Sequence, residues 1–450
     1  MNAYPEYKET SIEWLGNIPS HWGTVPLKYI CYMKGRIGWQ GLTHAEFIDK
    51  GPYLITGMNF KNGKMNWDEC YHISQERYDE APEIHVQEGD VLITKDGTIG
   101  KLLFMDYLPG PTSLNSHLLI LRPRNDEFSP KYLYYLLQSD AFLRFVDNVK
   151  TGTTFYGITQ ASMGDFRMLI FDKKEQQAIA DFLDRKTAQI DTLIEKKQRQ
   201  IGLLQEQRTA LINHAVTKGL NPDAPMKDSG VEWLGEIPSH WEVQKVKRIV
   251  DVIDGDRGKE YPNENDFVDI GIPFLSSKNI IDNRLDLTEV RYISKEKFDK
   301  LGRGKLTKGD LVITVRGTIG SVGYFSGNEH ETAFINAQMM ILRPEEQLTS
   351  KYFYYLARSN YWFLQLDYSA YGAAQQQLSN VVLQNLSIAL PPLKEQKVIE
   401  DFLDQRMAQI ENAIQRVYSE ITLLQEYRTA LISEAVTGKI DVRMAVTVHE

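Results

Sequence analysis

The sequence is poor in cysteine and contains no long apolar run. Cys31 and Cys70 are the two cysteines among 450 residues, and they are too far apart to form a CxxC pair. Without a companion cluster of cysteine and histidine, two buried small hydrophobic residues in a reducing compartment are favoured over a metal site. No run of about 18 apolar residues occurs, and the N-terminus lacks a basic, apolar leader. We therefore expect no membrane span, no secretory signal and a cytoplasmic location.

An excess of basic residues is also missing. There are 51 lysines and arginines against 60 aspartates and glutamates, which gives a formal net charge of −9. This balance argues mildly against a protein that coats nucleic acid without sequence preference, although a local basic face on an acidic chain can still bind DNA. The hydrophobic content of 42% is ordinary for a soluble globular protein, and the length allows more than one domain.

The most informative feature is a long helical stretch that occurs twice. Lys174 to Leu220 returns as Lys394 to Ile440, about 220 residues later, with about half of the positions identical and no gap. In both copies the seam positions are spaced alternately by four and three residues, as in a coiled coil. They are Leu183, Thr187, Ile190, Ile194, Lys197, Ile201, Leu204, Arg208, Leu211 and Ala215, and then Leu403, Met407, Ile410, Ile414, Val417, Ile421, Leu424, Arg428, Leu431 and Ala435.

Two matched seams, each roughly 65 Å long at about 1.5 Å per residue, would most simply bury each other. We therefore predict an intramolecular coiled coil, and we favour an antiparallel one because each helix follows a compact domain. The alternatives are parallel pairing and packing of each helix on its own domain.

The repeat extends far beyond these helices. SIEWLGNIPSHW, from Ser11 to Trp22, returns as GVEWLGEIPSHW, from Gly230 to Trp241. The runs VPLKYICYM and VQKVKRIVDVI predict strands, and GDVLITKDGTIGK and GDLVITVRGTIGS predict a strand, a turn and a second strand. NSHLLILRP and NAQMMILRP would close the sheet, and SPKYLYYLLQSDAFLRFV and TSKYFYYLARSNYWFLQL predict helices that begin after a serine or threonine cap.

These patterns predict an α+β protein with two repeated α/β domains and two long helices, related by a pseudo-twofold axis. We place the first domain at 1–172, the central helix at 173–220, the second domain at 221–390, and the distal helix and tail at 391–450. The frame is common to both copies, whereas the loops KGRIGWQG and DGDRGKEYP differ, as do TGTTFYGITQ and YGAAQQQLSN. Two domains of one fold thus present two different sets of loops.

Motifs for catalysis are not found. KDGTIGK ends at Gly100 and Lys101 but lacks the spacing of a phosphate-binding loop, and its copy has Ser321 in place of Lys101. The single Pro-Pro, at Pro391 and Pro392, lacks the polar and aromatic residues of an adenine methyltransferase loop. We therefore expect no catalytic residues and no metal ligands in this chain.

The paired EWLGxIPxHW openings, the GDxxIT and GTIG strands, and PPLKEQKVIEDFLD with LLQEYRTALISEAVTGKID resemble the specificity subunit of Type I restriction-modification systems. The resemblance covers essentially the whole chain; the first copy departs from it at Phe171-Asp172-Lys173, at the entry to the helix. It implies that the two domains are target recognition domains, each recognising half of a split site in double-stranded DNA. It also implies that the helices hold two methyltransferase subunits, which bind S-adenosylmethionine and modify adenine, and that separate restriction (motor) subunits use ATP and Mg²⁺.

The loops contain groups suited to such a role, because arginine can pair with guanine, glutamine with adenine, aspartate with cytosine, and lysine with guanine or phosphate. We predict DNA-binding residues in both domains, without assigning any of them to a base. They are Arg36, Trp39, Gln40, Asn59, Lys61, Lys95, Thr154 and Tyr156 in the first, and Asp256, Arg257, Lys259, Lys278, Asn279, Arg316, Gln375 and Gln376 in the second.

Two other functions remain open from the residues alone. A coiled-coil scaffold without DNA recognition would explain the helices but would leave the basic and amide-rich loops without a role. A self-contained modification enzyme would need cofactor and catalytic motifs that are not visible. Our hypothesis is a non-enzymatic, DNA-binding specificity subunit that recognises a bipartite, asymmetric site and positions two adenine methyltransferases.

Overall fold

The computed structural model describes residues 2–36, 42–61, 63–95, 99–126, 128–149, 157–370 and 378–443. It contains two compact units. The first unit comprises residues 1–197 and 418–450, and the second unit comprises residues 198–417. The predicted α+β class is confirmed, with two repeated domains and two long helices. No helix in the described part of the chain is long and apolar enough to cross a membrane.

The strands of the first unit are β1 Tyr7–Glu9, β2 Asn17–Pro19, β3 Gly23–Pro26, β4 Cys31–Lys34, β5 Ile48–Ile55, β6 Phe60–Lys61, β7 Lys64–Met65, β8 Tyr71–His72, β9 Val91–Thr94, β10 Leu102–Phe104, β11 Thr112–Leu114, β12 Leu118–Pro123 and β13 Arg167–Ile170. Its helices are α1 Leu27–Ile30, α2 Gln75–Asp79, α3 Pro130–Leu136, α4 Asp140–Val149 and α5 Gln160–Asp165, followed by the long helix α6 Lys173–Lys218, which enters the second unit.

The strands of the second unit are β14 Met226–Asp228, β15 Glu236–Pro238, β16 Glu242–Lys245, β17 Val250–Asp254, β18 Phe267–Val268, β19 Ile272–Leu275, β20 Ile280–Ile281, β21 Arg284–Leu285, β22 Arg291–Ile293, β23 Leu311–Thr314, β24 Val322–Tyr324, β25 Phe334–Ile335, β26 Met339–Pro344 and β27 Ser387–Leu390. Its helices are α7 Lys295–Lys300, α8 Ser350–Leu356, α9 Asn360–Ala370 and α10 Asn380–Asn385, followed by the long helix α11 Leu393–Val436, which returns to the first unit.

Each unit is built around one antiparallel four-stranded sheet. The order is β10-β9-β12-β4 in the first unit and β17-β26-β23-β24 in the second. Leu119 and Leu121 of β12 point into one hydrophobic core, and Leu118 and Ile120 point into another. The segment predicted to complete the sheet is its last strand along the chain, but it takes a central place: β12 lies between β9 and β4. A strand that is apolar on both faces needs cover on both.

Two predicted elements are interrupted. The run VPLKYICYM forms β3, one turn of helix (α1) and β4, because β3 pairs with β13 while β4 pairs with β12 in a different sheet. The run that follows Ser129 forms two helices, α3 and α4. Ser139 separates them: its Oγ donates to the Leu136 carbonyl oxygen and accepts from the Phe142 N–H, so it ends one helix and caps the next.

The long helices pair in antiparallel fashion. In the first unit, Arg428 Nε of α11 lies 2.9 Å from Asp191 Oδ1 of α6, and Lys197 Nζ lies 2.6 Å from Glu420 Oε2. Residue numbers that increase along α6 are therefore paired with residue numbers that decrease along α11, so the two helices run in opposite directions. In the second unit the corresponding residues are Arg208 and Glu411. Burial opposes the shift, but the hydrogen bond from Gln415 and the charges of Arg284 and Arg208 together lower the pKa of the Glu411 carboxyl group.

Thirteen of the twenty predicted seam positions are buried and the other seven are half-buried, so the heptad spacing predicted the packed face. Those below 9% exposure are Leu183, Thr187, Ile190, Ile201, Ala215, Leu403, Met407, Ile410, Ile414, Val417, Ile421, Leu431 and Ala435. The seam stabilises the helix pair because the apolar side chains at these positions are buried against each other and removed from water.

The repeated SHW turn fastens the first unit to the start of α6. The Trp22 side chain is fully buried and stacks on Phe171, with ring centroids 3.8 Å apart. Glu175 of α6 accepts hydrogen bonds from the Tyr4 hydroxyl at 2.8 Å and the Trp22 indole N–H at 3.3 Å, and its other oxygen lies 3.0 Å from His21 Nε2. A carboxylate on the first turn of the helix is therefore held by the N-terminal segment.

Candidate nucleic-acid interface

In the second unit, four loops meet at one end of the main sheet: those that follow β17, β19 and β23, and the one that precedes β26. Strand β17 ends at Asp254, β23 ends at Thr314, and β26 begins at Met339 between them, so the antiparallel order places these three termini side by side. The segment Asn336–Gln338, just before β26, joins the loops. The Asn336 N–H donates to the Leu275 carbonyl oxygen at the end of β19, and the Gln338 carbonyl oxygen accepts from the Val315 N–H.

Glycine allows the closest of these approaches. A Cβ atom at Gly255 would lie 2.6 Å from the Asn336 carbonyl oxygen, so no larger residue fits there without a shift of backbone. The next residues along this loop are charged and lie outside. Arg257 is exposed, and its Nη2 donates to the Ala337 carbonyl oxygen at 3.0 Å.

We call the exposed side chains of these loops the second rim: Arg257, Lys259, Lys278, Arg316 and Gln338. Four are cationic, and the fifth is an amide that can donate and accept hydrogen bonds at once. Such a set can address phosphate oxygens and base edges together.

Asp256, although predicted to contact DNA, supports the loop from within. Its carboxylate accepts from the Gly258 N–H at 2.7 Å, the Gly302 N–H at 2.8 Å and the Arg303 N–H at 3.4 Å. The backbone hydrogen bond from Gly258, with those from the other amides, lowers the pKa of this carboxyl group below its ordinary value. Because each oxygen already has a partner, Asp256 holds the rim loop in place.

The first unit repeats the same arrangement with different side chains. The Lys95 N–H donates to the His117 carbonyl oxygen at 2.9 Å, and the Asn115 N–H donates to the Ile55 carbonyl oxygen at 2.9 Å. Lys95 is half-buried after β9, and its own carbonyl oxygen accepts from the Ile158 N–H at 2.7 Å. We call Lys95 and the exposed His117 the first rim.

Arg36 lies at the end of β4, yet its side chain points inward. It is 3% exposed, its Nε donates to the Leu114 carbonyl oxygen at 2.8 Å, and its Nη2 donates to Ser113 Oγ at 3.1 Å. Desolvation, followed by the nearby Arg77, lowers the pKa of the guanidinium from its ordinary value. The structure therefore gives Arg36 a role in connecting β4 to β11, and a DNA contact from this side chain would require it to leave that site.

Asn59 and Asn279 are corresponding residues in turns that are folded in the same way. Both side chains are buried, at 2% and 7% exposure. The Asn59 side-chain oxygen accepts from the Thr56 N–H and its amide donates to the Glu69 carbonyl oxygen; in the second unit the oxygen of Asn279 accepts from the Ser276 N–H. Their hydrogen-bonding groups are used within the turn, so the prediction that they contact DNA gains no support from their placement.

The remaining predicted residues fall into two groups. Lys61 is exposed on the hairpin β6–β7, whose Lys64 pairs with Glu195 of α6 at 3.4 Å. Trp39, Gln40, Thr154, Tyr156, Gln375 and Gln376 lie outside the described residues. A DNA contact from any of these stays a prediction.

Sequence reasoning missed His117 and Gln338. They occupy the same position of the repeat, one residue before β12 and β26, and both are exposed. The sequence contains a signal for these two residues: in the copies NSHLLILRP and NAQMMILRP, Ser-His in the first corresponds to Ala-Gln in the second, whereas most of the other positions are similar. It could not be interpreted because only the folded sheet shows that this short segment touches the other loops.

No group of three or more His, Cys, Asp or Glu side chains within the described ranges is placed to hold a metal ion.

Residues 19–203 and 238–418 match the family model described as Type I restriction modification DNA specificity domain. Over 450 residues the chain is 25% identical to the Type I restriction enzyme MjaVIII specificity subunit of Methanocaldococcus jannaschii, and the match covers 97% of each chain.

Two solved structures share the fold. One comes from work on complex assembly and conformational transition of the type I R-M system; it superposes with a TM-score of 0.71 at 17% identity and covers 94% of this chain and 99% of that one. The other is the HsdS subunit from Thermoanaerobacter tengcongensis, with a TM-score of 0.53 at 18% identity, covering 94% of this chain and 98% of that one.

Proposed function

The chain belongs to the family of Type I restriction modification DNA specificity domains, and from this premise we propose that it recognises a divided DNA sequence, one part with each unit. The observation that carries the proposal is the rim. The same strand ends and the same backbone hydrogen bonds recur in both units, but the side chains there are different. One fold with two side-chain sets is suited to two dissimilar half-sites, and a scaffold without DNA recognition would have no need of the cationic loops.

We propose that the domains at 1–172 and 221–390 act as the two target recognition domains and that α6 and α11 carry the partner subunits. The partners would be double-stranded DNA, two methyltransferase subunits and restriction (motor) subunits. In this assignment the chain is not an enzyme. S-adenosylmethionine belongs to the methyltransferases, ATP and Mg²⁺ to the motor subunits, and the complex acts in the cytoplasm.

Titration of duplex DNA against the full chain at several salt concentrations tests the second rim. Replacing a residue that holds phosphate should lower affinity for every sequence and reduce the salt slope by about 1, whereas loss of a base contact should cost about 1–3 kcal/mol and relax specificity at one position. We expect Arg257→Ala and Arg316→Ala each to show one of these two results: a general loss of affinity with a smaller salt slope, or a loss of specificity at one position. Lys247→Ala is the matched control, because this exposed lysine precedes β17 and thus lies at the opposite end of the same strand. Equal effects at Lys247 and at the rim would refute the assignment.

Mapping of methylated adenines tests whether each unit recognises one half-site. Cells would carry the full chain together with its methyltransferase, and the exchange of residues 254–262 and 336–338 for those of another such protein should change one half-site only. A change in both half-sites, or a continuous palindromic site in the parent, would contradict the proposal. S-adenosylmethionine binding or DNA methylation by the purified chain alone would instead support a self-contained enzyme.

A further inference from the structure

The second unit contains a cluster of arginines beside its long helices. Arg284 of β21 pairs with Glu411 of α11, with Nη2 2.9 Å from Oε2. The Tyr354 hydroxyl of α8 donates to the Asn283 carbonyl oxygen at 2.6 Å, so the helix and the β20–β21 hairpin are joined at this point. Arg358, one turn further along, has its Nη1 3.3 Å from the Tyr354 hydroxyl and its guanidinium 4.9 Å from the centroid of that ring.

Arg208 of α6 belongs to the same cluster: its counterpart in the first unit, Arg428, lies 3.4 Å from the side-chain oxygen of Gln138, the counterpart of Arg358. Its charge and that of Arg284 both act on Arg358, and it also acts on Glu411. Within the described part of the chain neither Arg208 nor Arg358 forms an ion pair with a carboxylate, since Glu411 is bound to Arg284. These four residues thus comprise three guanidinium groups and one carboxylate, an excess of two positive charges.

The first unit has the same frame but balanced charges. There Arg428 pairs with Asp191 at 2.9 Å and also donates to the Gln138 side-chain oxygen at 3.4 Å. Lys64 pairs with Glu195 at 3.4 Å. Two cations therefore meet two carboxylates. At a displacement of about 220 residues, the second unit has Arg358 in place of Gln138 and Gln415 in place of Glu195. One cation has been added, and one carboxylate has been lost.

The surplus charge is costly because it is partly removed from water. Burial is the main reason that the pKa of Arg358 is lowered, followed by the neighbouring arginines. Arginine does not give up its proton in proteins, so it cannot relieve the repulsion by becoming neutral. A bound counter-ion can relieve it.

We propose that the second unit binds a compact oxyanion of the phosphate class between Arg208, Arg284 and Arg358. Guanidinium groups present several N–H donors in a planar fork that matches phosphate oxygens, and a doubly charged anion would balance the surplus. The Arg358 side chain makes one hydrogen bond among the described residues, to Tyr354, so most of its five N–H donors remain for a ligand. The phosphate could be a free ion or part of a nucleic-acid backbone. Phosphate binding at this site is independent of the DNA sequence that the rims recognise.

Calorimetric titration of the full chain with inorganic phosphate, at constant ionic strength set by chloride, tests this site. We expect saturable binding of one phosphate per chain and a rise in the thermal midpoint with phosphate concentration. Arg358→Gln should weaken phosphate binding about tenfold or more, because a charge-assisted hydrogen bond is lost. The fold should tolerate this change, since Gln138 stands at the equivalent position of the first unit.

A second variant places the counter-ion in the protein itself. Gln415→Glu supplies the carboxylate that Glu195 provides in the first unit and halves the surplus charge, so it should raise the midpoint without phosphate and weaken the response to phosphate. Lys64→Ala, in the first unit, is the control and should leave phosphate binding unchanged.

Unchanged binding in Arg358→Gln, or an equal response to chloride, would overturn the proposal, and so would stabilisation by an acidic peptide but not by phosphate. Competition between a short duplex and inorganic phosphate that is lost in Arg358→Gln would assign the phosphate to a nucleic-acid backbone. Phosphate binding that a duplex does not displace would assign it to a free ion. Either result supports the site, and neither alters the methylation test of the rims.

Discussion

Replacement of Glu175 by glutamine should destabilise the first unit more than the same change does at the equivalent Glu395 in the second. Glu175 is 8% exposed, and its two oxygens face the Tyr4 hydroxyl, the Trp22 N–H and His21 Nε2. Burial and the hydrogen bond to Glu175 raise the pKa of the Tyr4 hydroxyl well above its ordinary value, so Tyr4 remains a donor.

The size of the effect follows from the change in hydrogen-bond type. A hydrogen bond to a charged group contributes about 1.5–3 kcal/mol and one between neutral groups about 0.5–1.5 kcal/mol, so each of the bonds from Tyr4 and Trp22 weakens by about 1 kcal/mol in Glu175→Gln. His21 also loses a charged partner, and the total is about 2–3 kcal/mol. For a unit of this size the thermal midpoint falls by about 2–4 °C per kcal/mol, so we expect a decrease of about 4–12 °C.

The matched change separates the cost of weakening the buried hydrogen bonds from Tyr4 and Trp22 from the general cost of replacing this glutamate by glutamine. Glu395 lies 2.7 Å from His240 Nε2, but the Trp241 indole N–H has no partner among the described residues, and the Glu395 side chain is 28% exposed. Glu395→Gln should therefore cost about 1 kcal/mol or less.

Scanning calorimetry of the full-length variants, with hydrogen exchange to locate the loss of protection in residues 2–9, gives both values. Equal decreases in the two variants, or unaltered protection of the N-terminal segment in Glu175→Gln, would refute the reasoning.

Other consequences can be measured in the same chain. Asp90→Asn should lower the free energy of unfolding in urea by about 3 kcal/mol, because Arg122, 2.6 Å from the fully buried Asp90, loses its counter-ion; a loss below 1 kcal/mol would contradict this. Asn279→Ala should cost about 1–3 kcal/mol of stability and leave the DNA affinity of the folded protein unchanged, and a specific loss of affinity would return Asn279 to the interface. Burial raises the pKa of the Cys31 thiol and of the Cys70 thiol from 9.0 to about 12. The folded protein therefore binds more protons than the unfolded chain between pH 9.0 and about 12, so stability should fall across that window, less steeply in Cys31→Ala.

The repeat was sufficient to predict the architecture but not the path of the chain through each sheet. Heptad spacing predicts which residues of α6 and α11 are buried because that property depends on neighbours three and four positions away. VPLKYICYM contains no comparable signal for the turn at Leu27, because the turn exists to let β3 and β4 join different sheets. Ser139 divides α3 from α4 through two hydrogen bonds that composition alone does not predict.

The candidate interface likewise contains some residues whose exposure the sequence predicted and others whose burial only the structure shows. Arg257, Lys259, Lys278 and Arg316 were predicted from divergent loops, and the structure leaves them exposed. Arg36 and Asn59 come from equally suggestive loops, but both side chains are buried: Arg36 contacts Ser113, which is 77 residues away, and Asn59 contacts Glu69, which is 10 residues away.

By itself the sequence determined the two-copy design, the length of the helices and their heptad seams, and the family to which the chain belongs, because these follow from spacing and from residues quoted in order. The antiparallel direction of the pairing was favoured from the sequence but decided by the structure. Only the tertiary structure decided which loop side chains face solvent, that residues 336–338 join the loops of one rim, and that Arg208, Arg284 and Arg358 lie close to one another. The physical reason is that exposure and charge balance depend on which distant segments pack together, and the free energy of that packing is shared across the whole domain.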